Sequence, residues 1–295
     1  MSGFGLSAPT SVGLRFNSTG VTQVIGGVTV LPGISMRATG LSLSLFGQSL
    51  SATVLVEEVT LPRAPGAIGD PQRIVRLALE DVSMSLTAGT TTIASLTGGY
   101  GYVLLQRVVT GGPFEVAGRI GGTVEVSIPG VQVAGTLEVV VNTRTTRVVQ
   151  QFDLPGRTVT LDVPAGPYLR IAGTAVSVRA FGQSLTGSFA FEQVSTPGAD
   201  SDITTTADNG TAVRLVASDV SFTLSNGTSD IVRLRNGSGM LLVVPATATA
   251  PVGLAGSLSG SVEVLGGGVF SLSGDFSVEI NTIDRAIDES FELTP

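Results

Sequence analysis

Few residue types in this chain could do chemistry. Among its 295 residues there is no histidine, no cysteine and no tryptophan, and all 16 basic residues are arginine. Without histidine there is no Ser-His-Asp triad and no imidazole base. Without cysteine there is no thiol nucleophile, zinc thiolate, iron–sulfur cluster or disulfide. Without lysine there is no Schiff base and no phosphate-cradling Walker lysine. Chemistry is left to 23 carboxylates. Glu57-Glu58 and Glu80-Asp81 could be read as a pair for glycoside hydrolysis. Neighbouring strand residues point to opposite faces, however, and only Glu57 and Asp81 recur later in the chain, as Glu192 and Asp219. A repeated carboxylate fits a strand-edge charge or a turn cap better than a single catalytic cleft. Arg76 and Arg214, each followed by the repeated aspartate, are expected to form ion pairs with Asp81 and Asp219.

Calcium remains open to oxygen ligands, and Asp200, Asp202 and Asp208 share one acidic loop. That loop lacks the glycine and bidentate glutamate of a helix–loop–helix site, so a solvated turn is the simpler expectation. The reading is therefore a protein that is not an enzyme, with no catalytic, cofactor-binding or metal site and no cofactor.

The elements that would position any site are written twice. Phe46-Gly47-Gln48-Ser49-Leu50 returns as Phe181-Gly182-Gln183-Ser184-Leu185, and Val75-Arg76-Leu77 as Val213-Arg214-Leu215. Val124-Glu125-Val126 returns as Val262-Glu263-Val264, Asn142-Thr143 as Asn281-Thr282, and Phe152-Asp153-Leu154 as Phe291-Glu292-Leu293. The reading is two tandem modules of about 138 residues, 1–156 and 157–295. A leading segment, 1–28, resembles the end of a preceding module, because Leu14 to Ser18 matches Val139 to Thr143.

Both modules read as strand. Leu41, Leu43 and Leu45 alternate with serines, and Leu50, Ala52, Val54 and Val56 alternate again after a glycine turn, which is a hairpin pattern. Asn-Gly at 209, 226 and 236 marks further turns. No helical period persists, so the fold class is all-β, built from antiparallel hairpins. The short join at 151–157 runs straight into another strand, which favours modules stacked into one elongated β-structure over two discrete β-sandwiches.

Net charge is −7, charged residues are 13% and mean hydropathy is +0.43. Such a chain cannot neutralise a run of phosphates, so nucleic acid is not an expected partner. No stretch has the 18 or so unbroken apolar residues of a membrane helix, and 3 tyrosines give no aromatic girdle for an outer-membrane barrel. Residues 1–20 lack the basic segment and apolar core of a secretory signal.

The phrases TVTLDVPAGPYLRIAG (158–173) and AFGQSLTGSFAFEQ (180–193) resemble the repeats of very large, tandemly repetitive bacterial surface and adhesin-like proteins. The resemblance runs over nearly the whole chain. It implies an extracellular or cell-surface structural role and transfers no functional residue. The expected function is a structural module of a surface fibre, stalk or filament that self-associates or continues a repeat array. In the head-to-tail version, residues 278–293 of one subunit would meet residues 14–31 of the next by strand addition. The alternatives are a β-groove for an apolar ligand such as a lipid, and an adhesin segment that binds a glycan or protein.

Overall fold

A computed structural model describes residues 4–7, 9–45, 48–60, 73–88, 91–107, 114–129, 131–154, 157–180, 183–196, 210–226, 228–244, 253–265 and 271–283. Among these residues every regular element is a β-strand, as the alternating pattern requires. The early strands are β1 (Phe4–Ser7), β2 (Ser11–Asn17), β3 (Gln23–Ile25) and β4 (Val28–Val30). Long strands follow: β5 (Gly33–Leu45), β6 (Gln48–Thr60), β7 (Arg73–Ala88), β8 (Thr91–Arg107), β9 (Phe114–Ile128) and β10 (Val131–Asn142). A short hairpin, β11 (Val148–Leu154) and β12 (Arg157–Val163), leads to β13 (Tyr168–Ala180), β14 (Gln183–Thr196), β15 (Gly210–Ser225), β16 (Asp230–Val244), β17 (Gly253–Leu265) and β18 (Ser271–Asn281).

Contacts divide the chain into two compact units, Met1–Thr123 with Val140–Gly166, and Val124–Val139 with Pro167–Pro295. In the first, β1 and β2 both pair with β5, and β6, β7 and β8 follow in antiparallel order. In the second, β13 to β18 run antiparallel in chain order, with β10 beside β13. Strand Arg157–Val163, placed with the second module on sequence grounds, belongs to the first compact unit, because its partner and its buried side chains are there. The turn residues Phe46, Gly47, Phe181 and Gly182 lie outside the described residues.

The long strands of both units are interrupted by bulges at matching places. Asp81 and Asp219 have φ of 52° and 53°, Gly40 and Ala175 have 66° and 50°, and Gly98 and Asn236 have 58° and 51°. Each sits at a register shift between neighbouring strands. Left-handed backbone suits glycine, aspartate and asparagine, and one such residue leaves its strand longer than its partner. This explains why Asp81 and Asp219 repeat. It also corrects the expectation at 236: Asn236-Gly237 marks a bulge inside β16, not a turn. Asn226 does hold a turn, its Oδ1 accepting from the backbone N–H groups of Thr228 and Ser229 at 3.0 and 2.9 Å.

One face of the first unit's sheet forms its core. Val59, Ile74, Leu104 and Ala117 pack with Val148 of β11, and Leu31 borders them. The β11–β12 hairpin turns Phe152, Leu161 and Val163 inward, and all three are fully buried. Its base is tied by Asn142, itself fully buried, whose Nδ2 donates to the carbonyls of Thr146 and Pro164 while Oδ1 accepts from Arg144 N–H. Asn17 does the same for the β3–β4 hairpin, donating to Val21 and Val30 carbonyls and accepting from Thr19. Burial with all these bonds gives Asn17 a structural role in place of the glycosylation its Asn-Ser-Thr sequence permits.

Candidate functional site

The charged residues singled out by sequence are joined in a different way from the one expected. Arg76 does not pair with Asp81. Five residue steps along β7 separate them, roughly 16 Å of extended chain. Register sets Glu57 directly opposite Arg76, and the two form an ion pair at 3.4 Å with both side chains largely buried. In the second unit Glu192 lies opposite Arg214, at 3.7 Å. The repeated glutamate and the repeated arginine are therefore cross-strand partners. Arg76 also donates to the Gln151 carbonyl, and its guanidinium carbon lies 4.9 Å from the Phe152 ring centroid. Phe152 in turn meets the Tyr102 ring at 5.6 Å.

Neighbouring carboxylates are similarly engaged. Glu58 binds Arg73 at 3.1 Å on the opposite, exposed side of β6, and Glu80 binds Arg157, which also reaches the Tyr102 hydroxyl at 3.2 Å. Burial pushes the Tyr102 hydroxyl above its ordinary value. The Tyr168 hydroxyl is driven higher still, first by burial and then by the hydrogen bond it donates to Glu192 at 2.6 Å. These groups clamp strands together, and each carboxylate faces a guanidinium instead of an open cleft. Among the described residues no cluster of three or more acidic side chains could hold a metal. The acidic loop with Asp200, Asp202 and Asp208 lies outside the described residues.

What sequence reasoning did not localise is an apolar groove of about 360 Å³ in the second unit. It is built on two rungs that cross five strands on one sheet face. One rung runs Phe191, Leu215, Leu241, Gly256, Ile280, and the other runs Phe189, Ala217, Gly239, Leu258, Val278. A glycine on each rung stands opposite a leucine, so Leu241 faces Gly256 and Leu258 faces Gly239. Missing side chains at the middle strands leave a trough between bulky residues on either side. The glycines are also sterically required: a Cβ at Gly256 would meet the Met240 carbonyl oxygen, and one at Gly239 would lie 2.8 Å from the Ser257 carbonyl oxygen.

Among the described residues lining the groove, only Ser257 has a polar side chain. Leu258 is 50% exposed, Phe191 49% and Val278 55%. Exposed apolar surface of this extent makes the groove the candidate binding site. The signal in the sequence was the alternation of glycine and leucine at 239, 241, 256 and 258, legible only once register sets them side by side. No family model, no curated protein and no solved structure matches the chain. Its functional reading therefore rests on the site itself.

Proposed function

We propose that the protein is a non-enzymatic β-repeat protein whose apolar sheet face holds a hydrocarbon chain, as of a fatty acid or lipid tail. The observation that carries this reading is the two-rung groove, lined almost wholly by apolar side chains and floored by glycine. Its volume is near the lower end of small-ligand sites, roughly 300–1,000 Å³. A linear chain lying in the trough removes both its own surface and that of Leu241, Leu258 and Ile280 from water. Each buried methylene contributes about 0.8 kcal/mol. With no charged group among the described lining residues, recognition is of the tail, and a polar head would remain in water.

The test is native mass spectrometry of the purified protein with solvent extraction, followed by titration with a fluorescent fatty acid. Leu241→Asp should weaken binding about 10–100-fold by placing a charge in the trough. Leu272→Asp, on an exposed residue outside the groove, should leave binding unchanged. A protein that comes out empty and does not take up the probe overturns the reading.

A second reading, a structural module of a surface fibre, is supported by a separate observation. Strands β2 and β18 each pair with a single neighbour among the described strands, and both expose large apolar side chains: Leu14 71%, Phe16 66%, Leu272 67% and Val278 55%. Edge strands of this kind invite pairing with another chain.

A further inference from the structure

We infer that β18 of one copy takes the place of β2 on β5 of a second copy, joining subunits by strand exchange. The inference deepens the fibre reading and rests on it. Three strands of the chain share one pattern, apolar at alternate positions and ending in asparagine: Val12, Leu14, Phe16, Asn17 in β2; Leu137, Val139, Val141, Asn142 in β10; and Phe276, Val278, Ile280, Asn281 in β18. The asparagine performs the same local task each time, its Oδ1 accepting the backbone N–H two residues on, from Thr19, Arg144 and Ile283.

The chain already shows what such a strand pairs with. Strand β10 lies beside β13, and β13 is the sequence counterpart of β5. There the match is a single unbroken strand of 12 residues, with Gly135 packed closely on Val176. On β5 the same place is filled by two pieces, β2 of 7 residues and β1 of 4, which pair with Gly33–Thr39 and Ser42–Leu45 and leave a break between them. The β2 piece packs poorly, with Val12, Leu14 and Phe16 all more than 60% exposed. Strand β18 is unbroken over 11 residues and carries Gly274 where β10 has Gly135, with open space around it. It is thus a longer and better-matched occupant of the β5 edge than β2, and over its full length it takes the place of β1 as well. Because donor and acceptor edges differ, the contact is heterologous, and each subunit keeps a free donor and a free acceptor.

The test uses the absence of cysteine from the chain. In the inferred register Val278 of one copy replaces Leu14 opposite Met36 of the next. The full-length double variant Val278→Cys with Met36→Cys should form a ladder of covalent oligomers on oxidation. The variant Ser277→Cys with Met36→Cys, whose new thiol points to the other face, should not. A third variant, Leu14→Cys with Met36→Cys, locks β2 in its seat when oxidised. Its oligomers, followed by light scattering and electron microscopy, should be lost on oxidation and return on reduction. A missing ladder, equal ladders from the first two variants, or unchanged assembly of the locked form would overturn the inference. Filaments that persist in the locked form reject this seat and leave the fibre reading standing. If the unmodified protein stays monomeric at every concentration, both fall.

Discussion

Phe152 shows how much one side chain can organise. It is fully buried, touches the Tyr102 ring and lies beneath the Arg76 guanidinium, so it anchors the β11–β12 hairpin to the sheet and shields the Glu57–Arg76 pair. Phe152→Ala is expected to cost about 3–5 kcal/mol in chemical denaturation, from lost transfer energy and the cavity left behind. The two raised tyrosines give a pH dependence whose sign is fixed. Folding holds their protons more tightly, so their stabilisation is complete below the ordinary tyrosine value of 10.0 and is lost as pH rises through the higher folded-state values. Stability measured against pH should therefore decline on the alkaline side. Tyr168→Phe should flatten that decline and lower stability at neutral pH by about 1.5–3 kcal/mol, the range for a hydrogen bond to a charged group.

At the scale of elements, the hairpins that follow Asn17 and Asn142 depend on a single amide each. Asn142→Ala leaves the Thr146 and Pro164 carbonyls without their donor, at a cost of about 1–3 kcal/mol for each group left unsatisfied. Hydrogen exchange should then speed up first in Val148–Leu154 and Arg157–Val163, before the long strands. Strand content and alternation were legible in the chain because period two is local: Leu41, Ala52, Val54 and Val56 announce their face without knowledge of any partner. Pairing across long connections was not. The chain from 58 to 75 lies between Glu57 and Arg76, so nearness in sequence points Arg76 to Asp81, and only register reveals its partner. The groove was hidden for the same reason, since Gly239 and Leu258 become neighbours only through the β16–β17 ladder. Asp81 itself was visible as a repeat, but its meaning was conformational, which residue type alone does not disclose.

For the molecule as a whole, low charge and exposed apolar faces make association sensitive to pH. The net charge of −7 at neutral pH vanishes near pH 4.6, where repulsion no longer opposes contact between apolar faces. Light scattering should rise as pH falls toward that value and reverse on return to neutral pH. The bulges bear on the whole sheet in another way. Leu79 and Val82 lie on one face although they are three residues apart, because Asp81 absorbs the extra position and Val82 comes to rest opposite Gly99. The bulge thus acts as a frameshift in the grammar of inside and outside. Every strand residue beyond it is read in a new phase, and its counterparts in the neighbouring strands restore agreement line by line. Deleting Asp81 alone would remove the extra position and leave the faces of β7 as they are, because Leu79, Glu80, Val82 and Ser83 would then alternate without interruption. A deletion of Asp81 should therefore cost less stability in chemical denaturation than a deletion of Ser83, which would turn Met84 and Leu86 to the other face. The bulges are thus the places where strand length can change by one residue without exchanging inside for outside, and between them it cannot.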